Sequence, residues 1–191
     1  MNTPAHLIFG MAAFGRVDRR DVTAAALLGS LLPDLSLYLL VGWSLLVQGL
    51  SPGTVFGTLY FSALWQRIFA VDNSMPLWGL LLAAGLWRRW PGLVAFGGAG
   101  LLHLALDFAL HSDDARRHFW PLSDFVFHSP LSYWDPRHFG NLVGPLEVGL
   151  SLLICGVLWR RFTNRVMRAL IVFLGLAEFV PVLMFAVMFH D

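Results

Sequence analysis

The chain has 191 residues, of which 57% are hydrophobic and only 13% charged, and its mean hydropathy is +0.66. This places it among polytopic membrane proteins rather than water-soluble globules. The formal net charge of +1 is made with arginine alone, since there is no lysine, and the arginines gather in short polar breaks; this excludes Schiff-base chemistry and leaves no broad basic face for nucleic acid. The single Cys155 lies in an apolar run, which excludes an internal disulfide and a cysteine-based zinc site, so any metal must be held by histidine and carboxylate.

The opening MNTPAHLIFGMAAFG lacks the positive n-region of a signal peptide, and its apolar run ends at Arg16 without an obvious cleavage site, so it is expected to stay in the mature chain. Thr3-Pro4 reads as a helix start with Thr3 as N-cap, placing His6 in the first turn of a helix of about 12 residues, too short to span a bilayer. After the polar turn Arg16 to Asp21, a second helix is predicted to about Leu50, kinked or broken at Pro33, with Asp34 emerging beside the break. A loop begins at Ser51-Pro-Gly-Thr, and the segment to Arg67 carries the interfacial aromatics Tyr60, Phe61 and Trp65. Asp72-Asn-Ser-Met-Pro76 opens a third helix to Trp87, and Arg88-Arg89-Trp90-Pro91 precedes a central one.

The central stretch, GGAGLLHLALDFALHSDDARRH from Gly97 to His118, places His103, Asp107 and His111 at i, i+4 and i+8. On a helix those side chains share one stripe with neighbours about 6 Å apart, close enough to share an ion. Ionisable groups inside an apolar segment are costly and by default mark a function or a specific partner. The polar and aromatic stretch 112–140 is too polar for lipid, and two apolar segments follow, Asn141 to Trp159 and about Ala169 to Phe189, in which Glu147 and Glu178 read as helix-pairing groups. The expected architecture is all-α: one membrane-embedded helical bundle over residues 1–191, of about five to six helices, some short or broken, with an outer loop 112–140.

The arginine clusters at 16–20, 88–89 and 160–168 fall on one side if the segments alternate, which makes that side cytoplasmic and puts both termini and the 112–140 loop outside. Measured at about 1.5 Å per residue from those turns, His6, Asp34, His103 and Asp107 all fall in one layer, about 15 to 24 Å above the cytoplasmic boundary. A common depth for four rare polar residues favours one joint site over four separate structural roles.

T-x-x-H at Thr3 to His6, L-P-D at Leu32 to Asp34, H-x-x-x-D at His103 to Asp107 and W-P-L-S at Trp120 to Ser123 together resemble the bacterial inner-membrane metal-dependent hydrolases of the YdjM-like type, related to zinc-dependent phospholipases C. The resemblance covers about residues 1 to 125. It implies a divalent metal, zinc with manganese as the alternative, on His6, Asp34, His103 and Asp107. The chain departs from the family pattern at Ser36, where a second acid is usual, and at Ile68 to Ser74, where Asp72 and Asn73 replace the Thr and His of the family's helix entry. These departures bear on whether the site holds two ions or one.

A metal with an open coordination position lowers the pKa of bound water and polarises a scissile phosphoryl or carbonyl group. His111 is the leading proton acceptor, with Asp72, Asp113 and Asp114 behind it, and Arg116 and Arg117 are candidates for an anionic headgroup. The expected function is a membrane-bound hydrolase of a lipid-like or phosphoester substrate at the outer half of the bacterial inner membrane. The alternative is a non-enzymatic transport or regulatory membrane protein with a degenerate site, although no internal repeat supports a transporter.

Overall fold

The computed structural model describes residues 1–180; residues 181–191, which include the end of the last predicted apolar segment and the C-terminus, lie outside the described residues. Helix α1 (Thr3–Phe14) begins one residue before expectation, with Asn2 as its N-cap and Pro4 in the first turn. Thr3 makes no cap; its hydroxyl turns to Asp34 instead. Helix α2 (Arg20–Gly42) continues as one π-helical turn, Trp43–Val47, and is continuous through Pro33, so of the expected kink or break there is no break. The proline is buried, and its carbonyl accepts a hydrogen bond from Asn73 Nδ2 at 3.3 Å, so α2 is tied to a neighbour where a kink was expected.

A short turn, α3 (Pro52–Thr54), leads into a second π-helical turn, Val55–Leu59. The stretch read as loop then becomes α4 (Ala63–Asp72), because Ser62 caps it by accepting from the Trp65 amide at 3.4 Å. Ser74 likewise caps α5 (Met75–Trp87) by accepting from the Leu77 amide at 3.2 Å. The apolar run Ala63–Trp87 is therefore interrupted at Asn73 and Ser74, both buried. Helix α6 (Pro91–Leu110) ends one residue before His111, which corrects the expected i+8 helical placement: His111 is the C-cap and its backbone is extended. A 3₁₀ turn (Pro136–His138), α7 (Gly140–Arg161) and α8 (Arg165–Ala177) complete the described chain.

Among the described residues four stretches are long and apolar enough to cross a membrane, Arg20–Val47, Ala63–Trp87, Pro91–Leu110 and Gly140–Arg161, whereas Thr3–Phe14 is apolar but short. Helix α6 is central, packed between α2 and α5, with α1 laid against α2, α6, α7 and α8. Its small residues allow this. A Cβ on Gly97 would lie 2.7 Å from the Leu82 nitrogen, and one on Gly85 would lie 2.8 Å from the Val94 nitrogen, so α5 and α6 meet backbone to backbone. Ile8 and Met11 pack with Cys155, Leu158, Ile171 and Leu174 to fix α1 on α7 and α8, and Val22 and Ala26 pack with Ala95 and Ala99 to join α2 to α6. Large apolar side chains cover the outside, among them Leu46 at 86% exposure and Leu153 at 70%, a surface suited to lipid rather than to water.

The ends of the bundle differ. At one end Arg161 donates to the carbonyls of Ala12 and Gly15, and Arg168 Nε donates to the Phe162 carbonyl at 3.1 Å, so the 16–20 and 160–168 turns lie together. At the other, the 112–140 stretch folds back on the end of α6: Ser129 donates to the Ala109 carbonyl at 2.6 Å and the Tyr133 amide to the Leu110 carbonyl at 3.3 Å.

Candidate metal centre

Three helices bring the predicted residues together at the loop-covered end. α6 contributes His103 and Asp107 on one face, α1 contributes His6, and α2 contributes Asp34. His6 Nε2 lies 2.9 Å from Asp107 Oδ1, and His103 Nε2 lies 3.1 Å from Asp107 Oδ2 and 3.7 Å from Asp34 Oδ1. The two imidazoles stack with centroids 3.5 Å apart and planes 12° from parallel. His6, His103 and Asp107 are all buried, and one donor atom from each lies within 4.8 Å of the others.

The protonation of His103 follows from its other nitrogen. Nδ1 lies 2.7 Å from the Ser30 carbonyl, which can only accept, so Nδ1 carries the proton. In the neutral ring Nε2 is then a lone pair facing two carboxylates, and among the described residues it has no hydrogen-bond partner. A lone pair and a carboxylate oxygen at that range repel unless a cation lies between them. Ligand atoms on a tetrahedral ion with bonds of about 2.0–2.1 Å lie about 3.3 Å apart, and the pairs at 2.9, 3.1 and 3.7 Å bracket that spacing, so the donor types and their convergence fit an ion. Outer contacts orient it: the Thr3 hydroxyl donates to Asp34 Oδ2, and Tyr38 donates to Thr3 Oγ1 at 2.7 Å. The Met1 amino nitrogen lies 2.9 Å from Asp107 Oδ1 and 3.1 Å from His111 Nε2.

His111 stands beside the set although it has left the helix. Its Nε2 is 3.1 Å from Asp107 Oδ1 and its Nδ1 is 2.9 Å from Asp114 Oδ2, so a carboxylate holds each ring nitrogen. Asp114 is also reached by Trp134 Nε1 at 3.2 Å. Burial raises the pKa of Asp114, but the hydrogen bond and charge of His111 and the Trp134 hydrogen bond together outweigh this and hold the carboxyl below the usual range. Asp113 instead pairs with Arg137 at 2.7 Å.

The remaining expected residues are more dispersed. Asp72 closes α4, with Oδ2 buried and without a hydrogen-bond partner among the described residues; Asn73 uses its amide to hold the Pro33 and Phe69 carbonyls, 3.3 and 3.0 Å away. Arg117 pairs with Asp124 at 3.1 Å, whereas Arg116 is buried against Tyr60 and Phe69. Burial pushes the Tyr60 phenol up to about 12, opposed by the positive charge of Arg116. Glu147 accepts from the Asn2 amide at 2.8 Å and so pairs α7 with the start of α1, as expected.

Sequence reasoning missed Thr3 and Tyr38 as supports of Asp34. The signal for Tyr38 was its i+4 spacing from Asp34, and for Thr3 its place one turn before His6. Compared with known proteins, the chain matches no family model, no curated protein and no solved structure.

Proposed function

We propose that the chain is a membrane-embedded metal-dependent hydrolase acting on a lipid-like or phosphoester substrate at the outer half of a bacterial inner membrane. The observation that carries this reading is the convergence of His103 Nε2, oriented by the Nδ1 contact to the Ser30 carbonyl, with Asp107 and Asp34. His6, Asp34, His103 and Asp107 would hold a divalent ion, zinc or manganese, and such an ion supplies Lewis acidity toward water and the scissile group. Asp114 fixes the His111 proton on Nδ1 and aims Nε2 at the centre, where that nitrogen takes and returns a proton during hydrolysis; Asp114 is a positioning residue in this arrangement. The buried walls exclude bulk water and strengthen each electrostatic contact inside. The outward orientation rests on the arginine-rich turns at the opposite end of the bundle.

The test is the metal content and hydrolytic activity of the purified protein. Wild type is expected to carry near-stoichiometric zinc or manganese and to cleave an activated phosphodiester, with both lost in His103→Ala. A wild-type protein that folds normally yet takes up neither metal from zinc- or manganese-supplemented medium would overturn the reading.

A further inference from the structure

Arg116 lies two residues beyond Asp114 in the segment leaving α6, and only 7% of it is exposed. Its guanidinium carbon sits 4.1 Å from the Phe69 ring centroid and 4.9 Å from that of Tyr60. These rings attract the charge, but they offer no acceptor in the guanidinium plane. Nη1 is buried and without a hydrogen-bond partner among the described residues. A buried cation with an unmade donor is costly to fold, and arginine's fork matches oxyanions in geometry.

The cradle that holds Arg116 leads back to the proposed centre. The Tyr60 hydroxyl donates to the Asp114 carbonyl at 3.5 Å, Asp114 binds His111 at 2.9 Å, and His111 reaches Asp107 at 3.1 Å. The carboxylates along that path are already engaged, Asp107 by His6, His103 and His111, and Asp114 by His111 and Trp134. Asp72 is near enough to feel the charge of Arg116, but among the described residues its buried Oδ2 makes no hydrogen bond to the arginine.

We propose that Arg116 is an oxyanion receptor, held rigid by Tyr60 and Phe69, whose Nη1–H donates to a phosphoryl oxygen of the substrate, which makes the substrate a phosphate ester. A tetrahedral phosphoryl group has oxygens enough to face the metal ligands and the guanidinium at once while its ester oxygen remains free to leave. The assignment of this anion as a substrate rests on the hydrolase reading; the receptor itself does not. Arg117 takes no part, being paired with Asp124.

The experiment measures binding of inorganic phosphate to detergent-purified full-length protein by calorimetry, zinc-loaded and chelator-treated, with metal content determined on the same samples. Wild type is expected to bind phosphate more tightly than acetate. Arg116→Gln should weaken phosphate about 10- to 100-fold while keeping the metal, the effect of losing one charge-assisted hydrogen bond. Arg117→Gln should leave phosphate binding unchanged. Arg116→Lys, which keeps the charge and supports folding if Arg116→Gln does not, should still bind more weakly than wild type. Displacement of phosphate by short-chain phosphatidic acid would support the receptor with a lipid headgroup as the source, and phosphate binding that this lipid does not displace would support it with a soluble phosphate ester. Undiminished phosphate binding in Arg116→Gln, equal binding of acetate, or no phosphate binding by zinc-loaded wild type would each overturn the receptor. A protein that takes up no metal yet loses phosphate binding on Arg116→Gln would overturn the hydrolase reading and leave the receptor standing.

Discussion

A carboxylate oxygen 3.1 Å from an imidazole nitrogen needs a positive charge between them, an ion or a ring proton, and His103 directs its Nδ1 proton to Ser30 on the other side. This divides the roles along one carboxylate. In the proposed hydrolase His103 and Asp107 would offer lone pairs to an ion, whereas His111, with Asp114 on its far nitrogen, would exchange a proton. His111→Ala is expected to keep the metal and to lower turnover by about 10² to 10⁴, the usual contribution of a general acid or base. Metal analysis beside kinetics checks this: if the variant loses its metal, His111 belongs with the ligands. The hydroxyl chain from Tyr38 through Thr3 to Asp34 predicts a different signature. Thr3→Val should weaken metal affinity by about 10- to 100-fold without changing ligand number, as the loss of an outer-sphere partner does. A chelator competition series measures that affinity, and an unchanged value would remove Thr3 from the site's support.

At the scale of elements, the packing of α5 on α6 depends on residues with no side chain. Gly97→Ala would put a methyl 2.7 Å from a backbone nitrogen of α5, so the helices must part, at a cost of about 1–3 kcal/mol. Gly149→Ala on α7 meets nothing within 4 Å and should be neutral or gain about 0.4–1 kcal/mol from the less flexible unfolded chain. Thermal unfolding in detergent separates the two, and equal melting temperatures would count against the close contact. The same scale shows how much was legible beforehand. Apolar runs of the right length located the major helices, and His6, His103 and Asp107, singled out as rare polar residues in apolar runs, come together in the fold. Boundaries were less legible, because a local serine cap and contacts beyond the helix set them rather than the apolar pattern. Pro33 reads as a kink or a break, and α2 is continuous through it; the segment to Arg67 reads as loop with interfacial aromatics, yet Ser62 caps a helix over Ala63–Asp72. His111 was expected on the helical stripe and instead caps the helix, reaching Asp107 by its side chain alone. The 112–140 stretch has its own charged clasp, in which Asp135 accepts from Arg137 Nη2 at 2.8 Å and from the Arg137 amide at 2.9 Å. These contacts, the Arg137 side chain first, hold the Asp135 carboxyl below its ordinary value. A depressed carboxylate stabilises the folded loop above its unfolded pKa of about 3.9, and that contribution disappears as pH falls through the lower folded value. Proteolysis of the loop should therefore rise on acidification below about pH 4 in wild type and depend less on pH in Asp135→Asn. Coinciding profiles would remove the clasp from the loop's stability.

For the whole molecule, the arrangement ties site, loop and orientation into one prediction. The arginine-rich turns lie together at one end, where Arg161 and Arg168 bond to backbone carbonyls, while His6, Asp34, His103 and Asp107 gather toward the other end under the 112–140 stretch. Short positively charged loops are retained in the cytoplasm, so the turn at Arg88 and Arg89 should face inward and the loop-covered centre outward. An enzyme reporter active only outside the cytoplasm should be silent when fused after Arg89 and active when fused after Ser123. The apolar exterior makes insertion in either direction affordable, since side chains such as Leu46 and Leu153 favour lipid whichever end is inside; the charge asymmetry alone decides. Replacing Arg88 and Arg89 with Asn should weaken that bias and produce a mixed reporter signal at both fusion points. If the Arg89 fusion is active and the Ser123 fusion silent in the wild-type sequence, the centre opens to the cytoplasm, and its substrate must be sought on that side of the membrane.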